Sequence, residues 1–292
     1  MSYEPDESEI EASRAPLMSH LIELRERLIV SVIALILAFI GCFFFSQDIY
    51  VFLLHPFEVA GGLVAEQSAK GAHHGPFDMF LTLIGVLPMP PAAPLKMVFT
   101  APLEFFFTKV KLAGIAALIA AFPVIAYQLY RFVAPGLYKR ERYAFLPFLI
   151  ASPFLFLLGS ALVYYVMLPF VMWFSLKQQI VGAGAVSVEL LPKVSDYLNL
   201  VTALLLAFGL CFQLPVVLSL IGLAGLISSE TLASGRRYAI VGVGALAAVV
   251  TPPDPFSMIS LIVPLILLYE ISIWCVRLIE FRRGKEEAAS ET

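Results

Sequence analysis

LIVSVIALILAFIGCFFF, residues 28–45, decides the fold. These eighteen residues carry no charge. As a helix they would be ~27 Å long, close to the ~30 Å hydrocarbon core of a bilayer. Apolar runs recur at 103–130, 144–172, 198–224, 238–250 and 256–276. Of the 292 residues, 60% are hydrophobic and 14% charged. Soluble domains run about 45–50% and about 25%. Mean hydropathy is +0.89. A compact soluble chain cannot bury so much apolar surface, so an ordinary soluble enzyme is excluded. Disorder over most of the chain is excluded by the same hydrophobicity. A net charge of −3 with no basic face argues against nucleic-acid binding. An all-α integral membrane protein remains, because a span in lipid must satisfy its own backbone polar groups.

The organisation follows from the runs. Residues 1–16 read as a disordered acidic tail, 17–280 as a six-span membrane domain and 281–292 as a polar tail. The acidic start (Glu4, Asp6, Glu7, Glu9, Glu11) lacks the basic n-region of a signal peptide, so the first span reads as a retained anchor. Residues 17–27 form an amphipathic stretch with Ser19 as its N-cap. Residues 46–102 read as a long loop rich in Gly and Pro, and 131–143 as a short basic loop. Residues 173–197 read as an interfacial loop with Trp173 at its edge. The fifth run, 238–250, would span only ~20 Å as a helix. Either it is not a full span or the bilayer thins around it. The turn TPPDP at 251–255 separates it from the sixth run. Six spans place the termini with the second and fourth connections. That side holds thirteen basic residues, including every arginine, and the other side six lysines. Cytoplasmic loops carry the excess of Lys and Arg, so both termini are expected in the cytoplasm.

Few residues carry chemistry. No hydrolase, kinase or dinucleotide motif is present, and no enzyme is expected. Cys42, Cys211 and Cys275 lie in apolar runs without metal spacing, and no metal or other cofactor is expected. Glu23 and Glu141 sit among arginines at the expected cytoplasmic interface. They read either as local surface ion pairs or as carboxylates that bind a basic peptide; Arg fits a carboxylate as a two-bonded fork, which Lys cannot copy. Glu104 and Glu270 lie near span ends and can reach the interface. Gln213 is mid-span beside Pro215, and reads equally as intramolecular glue or as a contact for a partner helix. Asp254 reads as a turn-former. A secondary transporter of a small solute or ion is the competing reading; it would want midplane charges or paired broken helices.

Four stretches together resemble one family. HLIELRERL at 20–28, YRFVAPGLYKRER at 130–142, FGLCFQLPV at 208–216 and VTPPDPFS at 250–257 are similar, in order and spacing, to TatC, the polytopic core of the twin-arginine protein translocase. The resemblance covers about residues 17–280. It implies a cup-shaped bundle of six transmembrane helices with cytoplasmic termini; from the runs, helices five and six are expected to be short. It implies a receptor for the twin-arginine signal peptides of folded precursors in a bacterial inner membrane. Single-span TatB-like and TatA-like subunits would be its partners, in a multi-copy assembly within membrane lipid. Export would be driven by the proton-motive force. By the same resemblance Glu23, Leu24, Arg25, Phe132, Pro135 and Glu141 match the signal-binding site. Pro56 matches an outer-loop position tied to function, and Asp254 lies in the outer turn. Position 213 is Gln where some relatives carry Glu, which leaves helix docking open and removes a titrating group. The segment 61–95 makes the first outer loop longer than the resemblance implies.

Overall fold

A computed structural model describes residues 7–70, 75–90, 97–133, 141–179, 191–251 and 255–290. Within them the chain is almost wholly helical. The helices are α1 (Glu7–Phe44), α2 (Ser46–Lys70), α3 (Pro76–Leu83), α4 (Glu104–Val133), α5 (Glu141–Leu162) and α6 (Leu168–Lys177). There follow α7 (Val194–Cys211), α8 (Leu214–Leu223), α9 (Ser229–Ser234), α10 (Arg236–Val250) and α11 (Pro255–Ser290). A π-helical turn, Val163–Met167, joins α5 to α6 just before Pro169, whose missing N–H leaves the turn behind it short of a bond. Pro215 acts likewise between α7 and α8: it cannot bond the Cys211 carbonyl, and the helix breaks at Phe212–Gln213.

Among the described residues six helices are long and apolar enough to cross a membrane: α1, α2, α4, α5–α6, α7–α8 and α11. Geometry separates α2 from the rest. Arg27, near the start of the apolar part of α1, reaches Gln128, near the end of α4, so the two helices run antiparallel. Both ends of the connection between them therefore lie at one end of the bundle. A crossing by α2 would need a second crossing to return, and among the described residues the connection holds only the eight-residue α3 besides. The start of α2 instead sits across that end. Tyr50 meets the Phe105 ring edge-on at 5.5 Å, and the Tyr197 hydroxyl donates to the Leu53 carbonyl at 2.6 Å. We call this the cap end and the opposite end the base. The sixth crossing is then α10, fifteen residues and ~22 Å long, which runs from the base as a hairpin with α11.

Two expectations are corrected. Residues 46–102 are not one long loop, since 46–70 and 76–83 are helical. Gly61, Gly62 and Pro56 gave the segment a loop-like composition, yet Leu53, Phe57, Val59, Ala60 and Leu63 are buried against the bundle. Burial on neighbouring helices overrides the low propensity. The sixth helix is not short: α11 has 36 residues. After Pro264 nothing breaks it, and Arg, Lys, Glu and Ala near its end are strong helix formers. Helical backbone of α1 begins at Glu7.

Small residues bring helices together where lipid provides no hydrophobic drive. A Cβ on Gly209 of α7 would lie 2.7 Å from the Phe156 ring of α5. One on Gly159 would lie 2.9 Å from the Phe212 ring. The Phe156 ring is buried and stacks on Phe122 of α4 at 4.1 Å, so this crossing locks three helices.

Candidate functional site at the base of the bundle

Glu23 and Arg27 are one turn apart on α1, with the acid on the N-terminal side, the favourable order for such a pair. The Arg27 guanidinium donates to Glu23 Oε1 at 2.7 Å, and the two side chains are 17% and 30% exposed. A second Arg27 nitrogen points at Gln128 Oε1 over a long 3.5 Å. This partly buried pair is screened less than one in open solvent. Leu24 and Arg25 are exposed beside it. Phe132, half-buried, lies in the last turn of α4, where Arg131 sits over the Tyr127 ring at 5.9 Å. The base thus presents a fixed carboxylate, an exposed leucine and aromatic groups together. That combination suits a ligand with both a cation and an apolar segment.

The other predicted positions are distributed as follows. Glu141 opens α5, but its side chain, like Pro135 and Asp254, lies outside the described residues. Pro56 is buried inside α2 at the cap end. Gln213 is bound within the chain at both ends of its amide. Ser152 Oγ donates to Gln213 Oε1 at 2.6 Å, and Gln213 Nε2 donates to the Ser152 carbonyl at 3.0 Å. Glu270 does more than reach the interface, since Arg236 grips both its oxygens, at 2.6 and 2.8 Å. Glu104 folds back to accept from the Thr100 and Ala101 amides and from the Ser195 hydroxyl. The sequence reading missed Gln128 and Ser152. Gln128 was findable by the argument that singled out Gln213, being polar inside an apolar run. Ser152 carried no signal of its own.

The model for the Sec-independent protein translocase protein TatC matches residues 19–264. A TatC of Magnetococcus marinus is 42% identical over 279 residues, 95% of this chain and 90% of its own. The chain belongs to the TatC family. Escherichia coli K12 TatC is 34% identical over 262 residues, 90% of this chain and 88% of its own. A crystal structure of a twin-arginine translocase receptor TatC superposes with a TM-score of 0.66 at 30% identity, covering 89% of this chain and 99% of that one. The match to TatC accounts for the six-span helical architecture and makes this a multi-pass membrane protein of a protein-transport system. The competing reading, a small-solute transporter, finds no support in these likenesses.

Proposed function

We propose that this chain is the signal-peptide receptor and core subunit of a twin-arginine translocase in a bacterial inner membrane, with both termini in the cytoplasm. The observation that carries the reading is the TatC match from residue 19 to 264. In this reading the base of the bundle faces the cytoplasm. The two arginines of a twin-arginine signal meet the carboxylates of Glu23 and Glu141, while Leu24, Arg25, Phe132 and Pro135 frame the site. Arg27 holds the Glu23 carboxylate aimed until the peptide guanidinium shares or displaces it. The apolar part of the signal then lies along the exposed apolar side of the helices. TatB-like and TatA-like single-span subunits join several copies of the chain, and the proton-motive force drives export of the folded precursor. The chain itself catalyses no covalent reaction.

The test is photo-crosslinking of a twin-arginine signal peptide and of its Lys-Lys version to the full chain in membranes. The Arg-Arg peptide should crosslink strongly and the Lys-Lys version weakly. Glu23→Gln or Glu141→Gln should reduce the Arg-Arg signal about tenfold, as loss of a charge-assisted bond worth ~1.5 kcal/mol predicts. Equal crosslinking of both peptides, or no effect of either variant, would overturn the assignment.

A further inference from the structure

An apolar groove of about 280 Å³ opens between α2, α4 and the α5 end of the third span. Its wall includes Phe52, Leu112, Ile115, Ala116, Ile119 and Tyr164. Two polar groups in that wall are turned to the backbone. Ser160 Oγ donates to the Phe156 carbonyl at 3.1 Å, and Tyr164 Oη to the Phe52 carbonyl at 3.0 Å. What the groove presents is hydrocarbon.

A cation lies on α4 one turn beyond the groove. Residues 109, 112, 116 and 119 recur at helical spacing, so Lys109 shares a face of α4 with Leu112, Ala116 and Ile119, one turn nearer the cap. Lys109 Nζ lies 4.8 Å over the Phe105 ring, a compact resting place from which the four-carbon stem can swing. The depth is right for a headgroup. α4 is ~45 Å long against ~30 Å of hydrocarbon, so its first turns reach the polar layer. Trp173, with Lys177 Nζ 4.3 Å over its ring, lies towards the end of α6, as aromatic residues at a membrane interface do.

We infer that this groove holds one acyl chain of an anionic phospholipid from the leaflet at the cap end, with Lys109 against the phosphate. The lipid would fill the seam between the capping helix α2 and the bundle, where protein side chains leave space. A zwitterionic lipid offers the same chain but less net negative charge, so the headgroup sets a preference and the groove sets retention. One lysine beside an anionic surface is worth about fivefold.

The experiment uses the full chain purified in mild detergent and stripped of lipid. Palmitoyl-oleoyl phosphatidylglycerol or phosphatidylcholine is added back, and bound lipid is counted by native mass spectrometry. Wild-type protein should retain one phosphatidylglycerol, about fivefold over phosphatidylcholine. Lys109→Gln should erase the preference, and Ala116→Phe, which fills the groove, should lower retention of both lipids. Ile119→Trp serves the same purpose if Ala116→Phe does not fold. Ile150→Trp, on an exposed side of α5, should retain lipid as the wild type does. Equal retention by wild type and the groove variants would overturn the site. Equal retention of the two lipids by wild type would overturn the role of Lys109.

Discussion

Pro56 and Tyr164 meet through a single carbonyl. Pro56 lies inside α2 and has no N–H to give the Phe52 carbonyl one turn back. That carbonyl takes the Tyr164 hydroxyl instead, at 3.0 Å, while the Phe52 and Tyr164 rings stack at 4.3 Å. The proline thus turns a backbone acceptor outward, and the π-helical turn after α5 uses it to hold the cap helix.

This coupling is testable by a double-mutant cycle. Tyr164→Phe should strand a partly buried acceptor and cost about 1 kcal/mol in the wild-type background. In a Pro56→Ala background the new N–H at position 56 can bond Phe52, and the cost of Tyr164→Phe should shrink. Thermal unfolding of the purified protein in detergent measures both. Equal costs in the two backgrounds would show that the hydroxyl and the proline act independently.

The Gln213–Ser152 clamp joins the break between α7 and α8 to α5. Side-chain bonds between membrane helices average ~0.6 kcal/mol and reach ~1.7. Gln213→Leu and Ser152→Ala should each destabilise by an amount in that range, and the double variant by less than the sum. Gln213→Glu should also lose stability, because an ionised carboxylate cannot donate to the Ser152 carbonyl. Additive losses in the same unfolding assay would count against the clamp.

At the helix crossing, Gly209→Ala should cost about 1–3 kcal/mol by overpacking, since its Cβ would press on a buried, stacked Phe156 ring. Phe156→Leu should recover part of the loss by vacating the space. If Gly209→Ala unfolds at the wild-type temperature, the helices are less tightly crossed than described.

Arg236 and Glu270 tie α10 to α11 by a two-bonded fork. Arg236→Lys keeps the charge but loses the fork. It should therefore speed hydrogen exchange in residues 236–250, the shortest crossing, while residues 104–133 exchange as before. Unchanged exchange in α10 would mean that packing alone holds the hairpin.

Orientation has its own readout. A reporter active only in the cytoplasm should work when fused after residue 292, and one inserted beside residue 70 should not. The reverse pattern would invert the proposed topology and move the Glu23 surface to the wrong side for a cytoplasmic signal.

Much of the fold was legible because lipid makes simple demands. A span must be long, apolar and helical, and α1, α4, α7 and α11 all announce themselves by that rule. α2 was hidden because its glycines and charges read as a loop. It is only half apolar, carries Glu58, Glu66 and two glycines, and becomes a helix through the neighbours it packs on. Glu23 was legible as an acid among arginines at a span entrance, but its tie to Gln128 joins residues 101 apart and has no local pattern.

The arrangement of charges and apolar runs along the chain was enough to establish a helical membrane protein and to point at Glu23, because solvation acts on each segment separately. Tertiary structure alone decided that α2 caps rather than crosses, that Gln213 bonds Ser152, and that Pro56 serves Tyr164. Each of these depends on which distant backbone or side-chain atom arrives within about 3 Å, and hydrogen bonds that short are set by packing between helices, not by the composition of either one.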